Sequence, residues 1–113
     1  MAELTIAQRV QAGADLLDRS WPDWWQLIDL DLLDVGAPEC CPLGQLFGSW
    51  NEAPDGLAMD ADRGFYRATQ WPGVGDRTDA AVEKVDRAIR VEYAELTEGW
   101  RALIEERRSG VPA

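Results

Sequence analysis

The sequence predicts an all-α domain, and three observations carry that prediction. Apolar residues recur at helical spacing from Thr78 or Asp79 to about Arg108, long enough for an eight-turn helix. Two capping sequences, Thr5-Ile6-Ala7-Gln8 and Ser20-Trp21-Pro22-Asp23, open helices earlier in the chain. No two segments alternate convincingly enough to pair as strands. At 113 residues the chain is read as one domain, with an ordered core over about 4–108.

The first element follows from the capping box of Thr5 and Gln8, after which Ile6, Val10, Ala14 and Leu17 fall on one stripe; a helix is expected over 5–19. A second helix is expected over 21–28, with Ser20 as its N-cap, Pro22 in its first turn and Asp23 at its positive end. Pro22 should keep the two from fusing. In that second helix Trp21, Trp25 and Ile28 share a stripe, with Trp24 beside them. Residues 28–34 alternate like a strand but suit a helical turn capped by Asp29 equally well; the turn is preferred because nothing is available to pair with a strand. Residues 36–39 form a connector, and 42–47 a short helix with Pro42 near its start and Gly48 as its stop. Residues 51–75 read as irregular, with helix-turn-sized patches at 57–61 and 65–69, and are pinned by Phe65, Tyr66 and Trp71.

The last element is the strongest. Val82, Val85, Ile89, Tyr93, Leu96, Trp100 and Leu103 mark its apolar stripe, and Glu83–Arg87 and Asp86–Arg90 are acid-first i,i+4 pairs. At 1.5 Å per residue such a helix is about 45 Å long, beyond the ~30–35 Å expected for a globule of this length. Its end must protrude, bend at Gly99 or pack on another molecule, and a homodimer through this helix is one expectation.

The formal charge is −10, from 21 acidic residues against ten arginines and one lysine, Lys84. Residues 20–62 hold nine acids and no Lys or Arg, whereas the seven bases of 77–108 nearly balance its eight acids. Direct binding to nucleic acid or anionic lipid is therefore not expected, because both need clustered bases. No apolar run reaches the ~18 residues that span a bilayer, and the N-terminus lacks the order of a signal peptide. With two cysteines and no export signal, the expected setting is a reducing cytosol.

Chemistry-bearing patterns are sparse. Cys40 and Cys41 are adjacent, histidine is absent, and zinc needs spaced ligands in a set of four. A vicinal disulfide would be strained, leaving Cys41 as a small buried hydrophobe and Cys40 as its neighbour. Asp29-x-Asp31-x-x-Asp34 lacks the glycine and the terminal glutamate of a calcium loop. Without histidine there is no Ser/His or Cys/His pair, and the glycines fit neither nucleotide-binding pattern. No cofactor, metal or catalytic residue is assigned. The tryptophans are read as plugging the core between the first and last helices or, alternatively, as an exposed anchor. On the second reading the candidate partner-binding residues are Trp21, Trp24, Asp23, Asp31 and Asp34, as aromatic anchors and part of an acidic face. Cys41, Leu43, Gly44, Gln45, Phe47 and Gly48 form a candidate structural corner, with Cys41, Leu43, Leu46 and Phe47 pointing inward. Gly44 is expected to allow a close approach, Gly48 to end the turn, and Gln45 to bond to backbone in 29–34.

Several stretches stand together in a recognisable order: Gly13-x-x-x-Leu17-Asp18, Pro22-x-Trp24-x-x-x-Ile28-Asp29-Leu30, Leu33-Asp34, Cys41-x-Leu43-Gly44-Gln45-Leu46-Phe47-Gly48, Gly64-Phe65 and Tyr93-x-x-Leu96-x-x-x-Trp100. Over 13–100 this resembles a family of small proteins from actinobacteria and their phages that has no assigned activity. The second cysteine departs from that pattern and marks Cys41 as the matching one. The resemblance implies a source and a shared fold, not a mechanism. The expected function is that of a non-catalytic, phage- or prophage-borne protein of the host cytosol that binds another protein, a basic one being the natural complement. Two alternatives are a DNA mimic or anti-defence inhibitor of a nucleic-acid-binding protein, and a small carboxylate-dependent enzyme or ligand binder with a pocket at Asp29, Asp31 or Gln45.

Overall fold

The computed structural model describes residues 4–37, 39–48, 61–70, 75 and 78–110. These residues form α1 (Ile6–Ser20), α2 (Trp24–Leu27), α3 (Pro42–Phe47), a 3₁₀ turn at Ala61–Arg63 and α4 (Asp79–Arg108), with no strand among them. The protein is all-α, and its C-terminal helix is the longest element.

The helix starts are those the caps dictate. Thr5 accepts from the Gln8 amide while the Gln8 side chain accepts from the Thr5 amide, closing the capping box. Thr78 accepts from the Ala81 amide and starts α4. α2 is shorter than the sequence predicts. Ser20 belongs to the last turn of α1, a turn at Pro22 and Asp23 intervenes, and Asp23 takes the N-cap position without a side-chain capping bond. This shift rotates the aromatic cluster. Trp24 and Ile28 are buried, Trp25 is half-buried and Trp21 is exposed, so the predicted Trp21/Trp25/Ile28 stripe does not form. Residues 28–34 make the expected turn: the Asp31 amide donates to the Asp29 carboxylate and the Leu32 amide to the Asp29 carbonyl. Residues 65–69 form no helical turn, and Phe65 is buried with Tyr66 half-buried. Trp71 and residues 57–60 lie outside the described residues.

The core is built around Trp100 of α4, which is fully buried. Its ring stacks on Phe65 (centroids 5.2 Å apart, planes at 20°) and meets Trp24 edge to face at 5.6 Å and 87°. Its indole N–H donates to the Gly64 carbonyl at 2.9 Å, so burial leaves no polar atom unpaired. Gly13 lets α1 pass over this ring. A Cβ there would lie 2.1 Å from the Arg63 carbonyl oxygen and 2.8 Å from the indole. α1 also crosses α4 closely at Gly99, where a Cβ would stand 3.1 Å from Val10 and 3.3 Å from Ile6.

The long axis of the molecule is 49 Å against 29 and 28 Å for the others. α4 accounts for the excess. Between residues 79 and 88 no side chain is buried, whereas Ile89, Leu96, Trp100 and Ile104 are. The first turns of α4 therefore project beyond the core, supported by the Glu83–Arg87 and Asp86–Arg90 pairs at 3.6 and 3.2 Å. No helix among the described residues is long and apolar enough to cross a membrane.

Candidate functional site

Residues 21–34 form the candidate face, and α4 gives this segment its shape. Arg101 donates to the Leu30 carbonyl at 2.9 Å, and Arg108 donates to the Trp25 carbonyl at 3.0 Å and to the Ile28 carbonyl. Thr97 accepts from the Val35 amide at 3.0 Å while donating to the Tyr93 carbonyl within its own helix. A stretch with one short helix thus has its carbonyls satisfied by cationic side chains of a neighbour. At the start of the segment, Asp18 and Arg107 form a two-bond pair (2.5 and 2.9 Å), and the Trp24 indole N–H donates to the same carboxylate at 2.9 Å. The Arg107 bond, with that of Trp24, outweighs partial burial and holds the Asp18 carboxyl below its usual range.

The Cys41–Gly48 corner braces the segment from the other side. Gln45 is bonded reciprocally to one residue: its carbonyl accepts from the Asp29 amide at 2.6 Å and its amide donates to the Asp29 carbonyl at 3.1 Å. It also donates to the Cys40 carbonyl at 3.0 Å. This is the backbone role expected of it. Cys41, Leu43 and Gly44 are buried, while Leu46 and Phe47 are only half-buried, less than predicted. Gly48 ends α3 at φ 93°, with its amide donating to the Gly44 carbonyl at 2.8 Å. Cys41 has a role that its residue type did not signal: its sulfur caps α3 by accepting from the Gly44 amide at 3.2 Å. Burial raises its thiol above the ordinary cysteine range. Neither cysteine is in a disulfide.

Of the candidate partner-binding residues, Trp24 is fully buried and cannot anchor a partner; it is a core residue tied to Asp18 and Trp100. Trp21 is exposed to 37 % and rests edge to face on Phe47 at 5.0 Å. Asp23, Asp31 and Asp34 are exposed, as is Asp29, and none of the four makes an ion pair among the described residues. The most exposed apolar side chains are not tryptophans. Leu27 is 71 % and Leu32 58 % exposed. Leu27 and Leu30 share an open cleft of about 480 Å³ with Asp29, Asp31 and Arg108. Both of its carboxylates are exposed.

A second polar cluster lay outside the sequence reading. Arg9, on α1, donates to the carbonyls of Ala61 (2.7 Å) and Tyr66 (2.8 Å) and to Glu92 (2.9 Å). Glu92 in turn accepts from the Ala68 amide, the Thr69 amide (2.9 Å) and the Thr69 hydroxyl (2.5 Å). Burial pushes the Glu92 carboxyl up, but these donors together outweigh it and hold it below the usual range. The pair borders an open cleft of about 470 Å³, and both side chains bond to the backbone of the 61–69 segment. No group of three or more potential metal ligands occurs among the described residues.

No known protein family, curated protein or solved structure matches this chain.

Proposed function

We propose that the protein acts without catalysis, by binding another protein through the face formed by residues 21–34. The reading is carried by bare apolar and bare acidic side chains on one short segment: Leu27 and Leu32, exposed to 71 and 58 %, stand among Asp23, Asp29, Asp31 and Asp34, none of them ion-paired among the described residues. Single exposed leucines are ordinary. Two of them five positions apart, on a turn held rigid by Gln45, Arg101 and Arg108, have the makings of a preorganised interface. The carboxylates would speed encounter with a basic partner, and burial of the leucines would slow its release. A second copy is the poorer complement, because each chain carries −10 and the bases of α4 are balanced by its own acids. The phage or prophage origin expected from the Cys41–Gly48 stretch belongs to this reading.

The test is affinity capture from a host lysate with the native protein and with a Leu27→Ser/Leu32→Ser variant, followed by titration of the purified captured protein. Binding at least about tenfold weaker in the variant, with an unchanged circular dichroism spectrum, is the expected result. Equal binding by both proteins would remove the face from consideration. The run from 20 to 62 without a base also favours a second reading, in which the acids imitate a phosphate backbone. Under that reading DNA displaces the partner and the leucines contribute little.

A further inference from the structure

The cleft between the end of α2 and the Asp29 turn has a chemistry that narrows what could occupy it. Its apolar surface comes from Leu27 and Leu30, and its acidic surface from Asp29 and Asp31. Arg108 also lines it, but the guanidinium is turned to the Trp25 and Ile28 carbonyls, so it builds the wall and offsets only one of the two carboxylates. Asp23 and Asp34, exposed on the same segment, add charge of the same sign. The Asp29 carboxylate accepts from the Asp31 amide through one oxygen, Oδ1, and the Asp31 carboxylate takes part in no hydrogen bond or ion pair among the described residues. The cleft thus presents acceptors with free lone pairs beside one bare apolar side chain, Leu27, with Leu30 half-buried next to it. A volume of about 480 Å³ is ample for one long side chain and the backbone that carries it.

We propose that this cleft receives a lysine or arginine side chain from a basic segment of a partner protein, with the cation between Asp29 and Asp31 and an adjacent apolar side chain on Leu27. The aliphatic stem of a lysine or arginine suits the Leu27–Leu30 side while its charged end reaches the carboxylates. The segment is not supplied by a second copy. In the first turns of α4 the exposed Arg87 and Arg90 carry their own acids, Glu83 and Asp86, and Lys84 alone stands without an ion pair among the described residues, too little to make a basic segment. The proposal rests on the protein-binding reading above and adds to it the chemistry of the partner.

The test uses the full-length protein, uniformly ¹⁵N-labelled, and a synthetic peptide alternating lysine with leucine. A second peptide replaces leucine by serine, and a third replaces lysine by glutamine. Amide shifts confined to the 26–32 region on titration with the lysine–leucine peptide are expected, with weaker binding of the other two. Asp29→Asn/Asp31→Asn should bind that peptide about tenfold more weakly. Glu83→Gln/Asp86→Asn, the same change in charge on the projecting first turns of α4, should leave it unchanged. An equal loss in both double variants, or shifts scattered over the whole acidic surface, would overturn the proposal as diffuse attraction. The captured partner separates the two claims. Dependence on Leu27 and Leu32 but not on Asp29 and Asp31 would sink the cation site and leave the interaction face standing. Dependence on neither would remove both.

Discussion

Arg9 and Glu92 are 83 positions apart in the chain and meet at 2.9 Å, with side chains only 7 and 10 % exposed. This contact joins α1 to α4, and through their other bonds the two side chains pin the backbone of Ala61, Tyr66, Ala68 and Thr69. Removing one partner strands the other charge and several main-chain groups. Arg9→Met should lower the unfolding free energy by about 3–5 kcal/mol, the usual cost of breaking a buried pair from one side. Urea titration followed by tryptophan fluorescence would measure it. A loss under about 1 kcal/mol would mean that the pair is solvated.

The same carboxylate sets a pH dependence. Glu92 and Asp18 both have folded values below their ordinary ones, so each contributes stability that is fully present above the ordinary carboxylate value. That contribution fades as the pH falls from about 4.3 for the glutamate and about 3.9 for the aspartate toward the lower folded values. Unfolding midpoints should be flat around neutrality and fall in that acid window. Glu92→Gln should start lower and show a shallower acid decline than the native protein.

Gly13→Ala separates helix propensity from packing. In an open helix the change would add about 1 kcal/mol of stability. Here the new methyl would lie 2.1 Å from a backbone oxygen, and over-packing costs about 1–3 kcal/mol and sometimes more. We expect a net loss near 2 kcal/mol, read as a melting temperature lower by roughly 10 °C.

Trp24→Ala should cost about 3–5 kcal/mol, because it empties a site inside the core and removes one of the three bonds donated to the Asp18 carboxylate. Trp21→Ala should cost less than about 1 kcal/mol, its ring being partly in water. Iodide quenching of the folded protein should reach Trp21 far more readily than Trp24.

Gln45→Ala removes three bonds to the backbone of Asp29 and Cys40. A loss of about 1–3 kcal/mol is expected, together with faster hydrogen exchange at the Asp29 amide. Gln45→Glu should be worse, because it turns a carboxylate toward two carbonyl oxygens. Gln45→Met, similar in shape, would show how much of the effect is packing.

Local signals in the sequence were readable because their partners are three or four residues away. Thr5 with Gln8, Thr78 with Ala81 and the paired charges of α4 all belong to this class. The tie from Gln45 to Asp29 was also readable, since it was the one polar side chain in an otherwise inward-facing corner. Arg9 gave no such sign. It is one of ten arginines, and its acceptors lie 52 to 83 positions away. The aromatic cluster was misphased for a related reason. Proline in a first turn suits either a helix entered at Trp21 or a turn before Trp24, and the bond from Trp24 to Asp18 decides between them. The exposure of Leu27 and Leu32 could not be read from composition, which treats every leucine as a demand for burial.

The Trp25, Ile28 and Leu30 carbonyls are held by Arg101 and Arg108, and the entry to α2 by Arg107 through Asp18. A stop codon just ahead of Arg107 would therefore spare Arg101, the exposed aspartates of residues 21–34 and both bare leucines, yet remove the two arginines that hold Asp18 and the Trp25 and Ile28 carbonyls. In a genetic screen for the proposed interaction such a truncation should behave like a null allele, whereas missense changes in the projecting first turns of α4 should pass unnoticed.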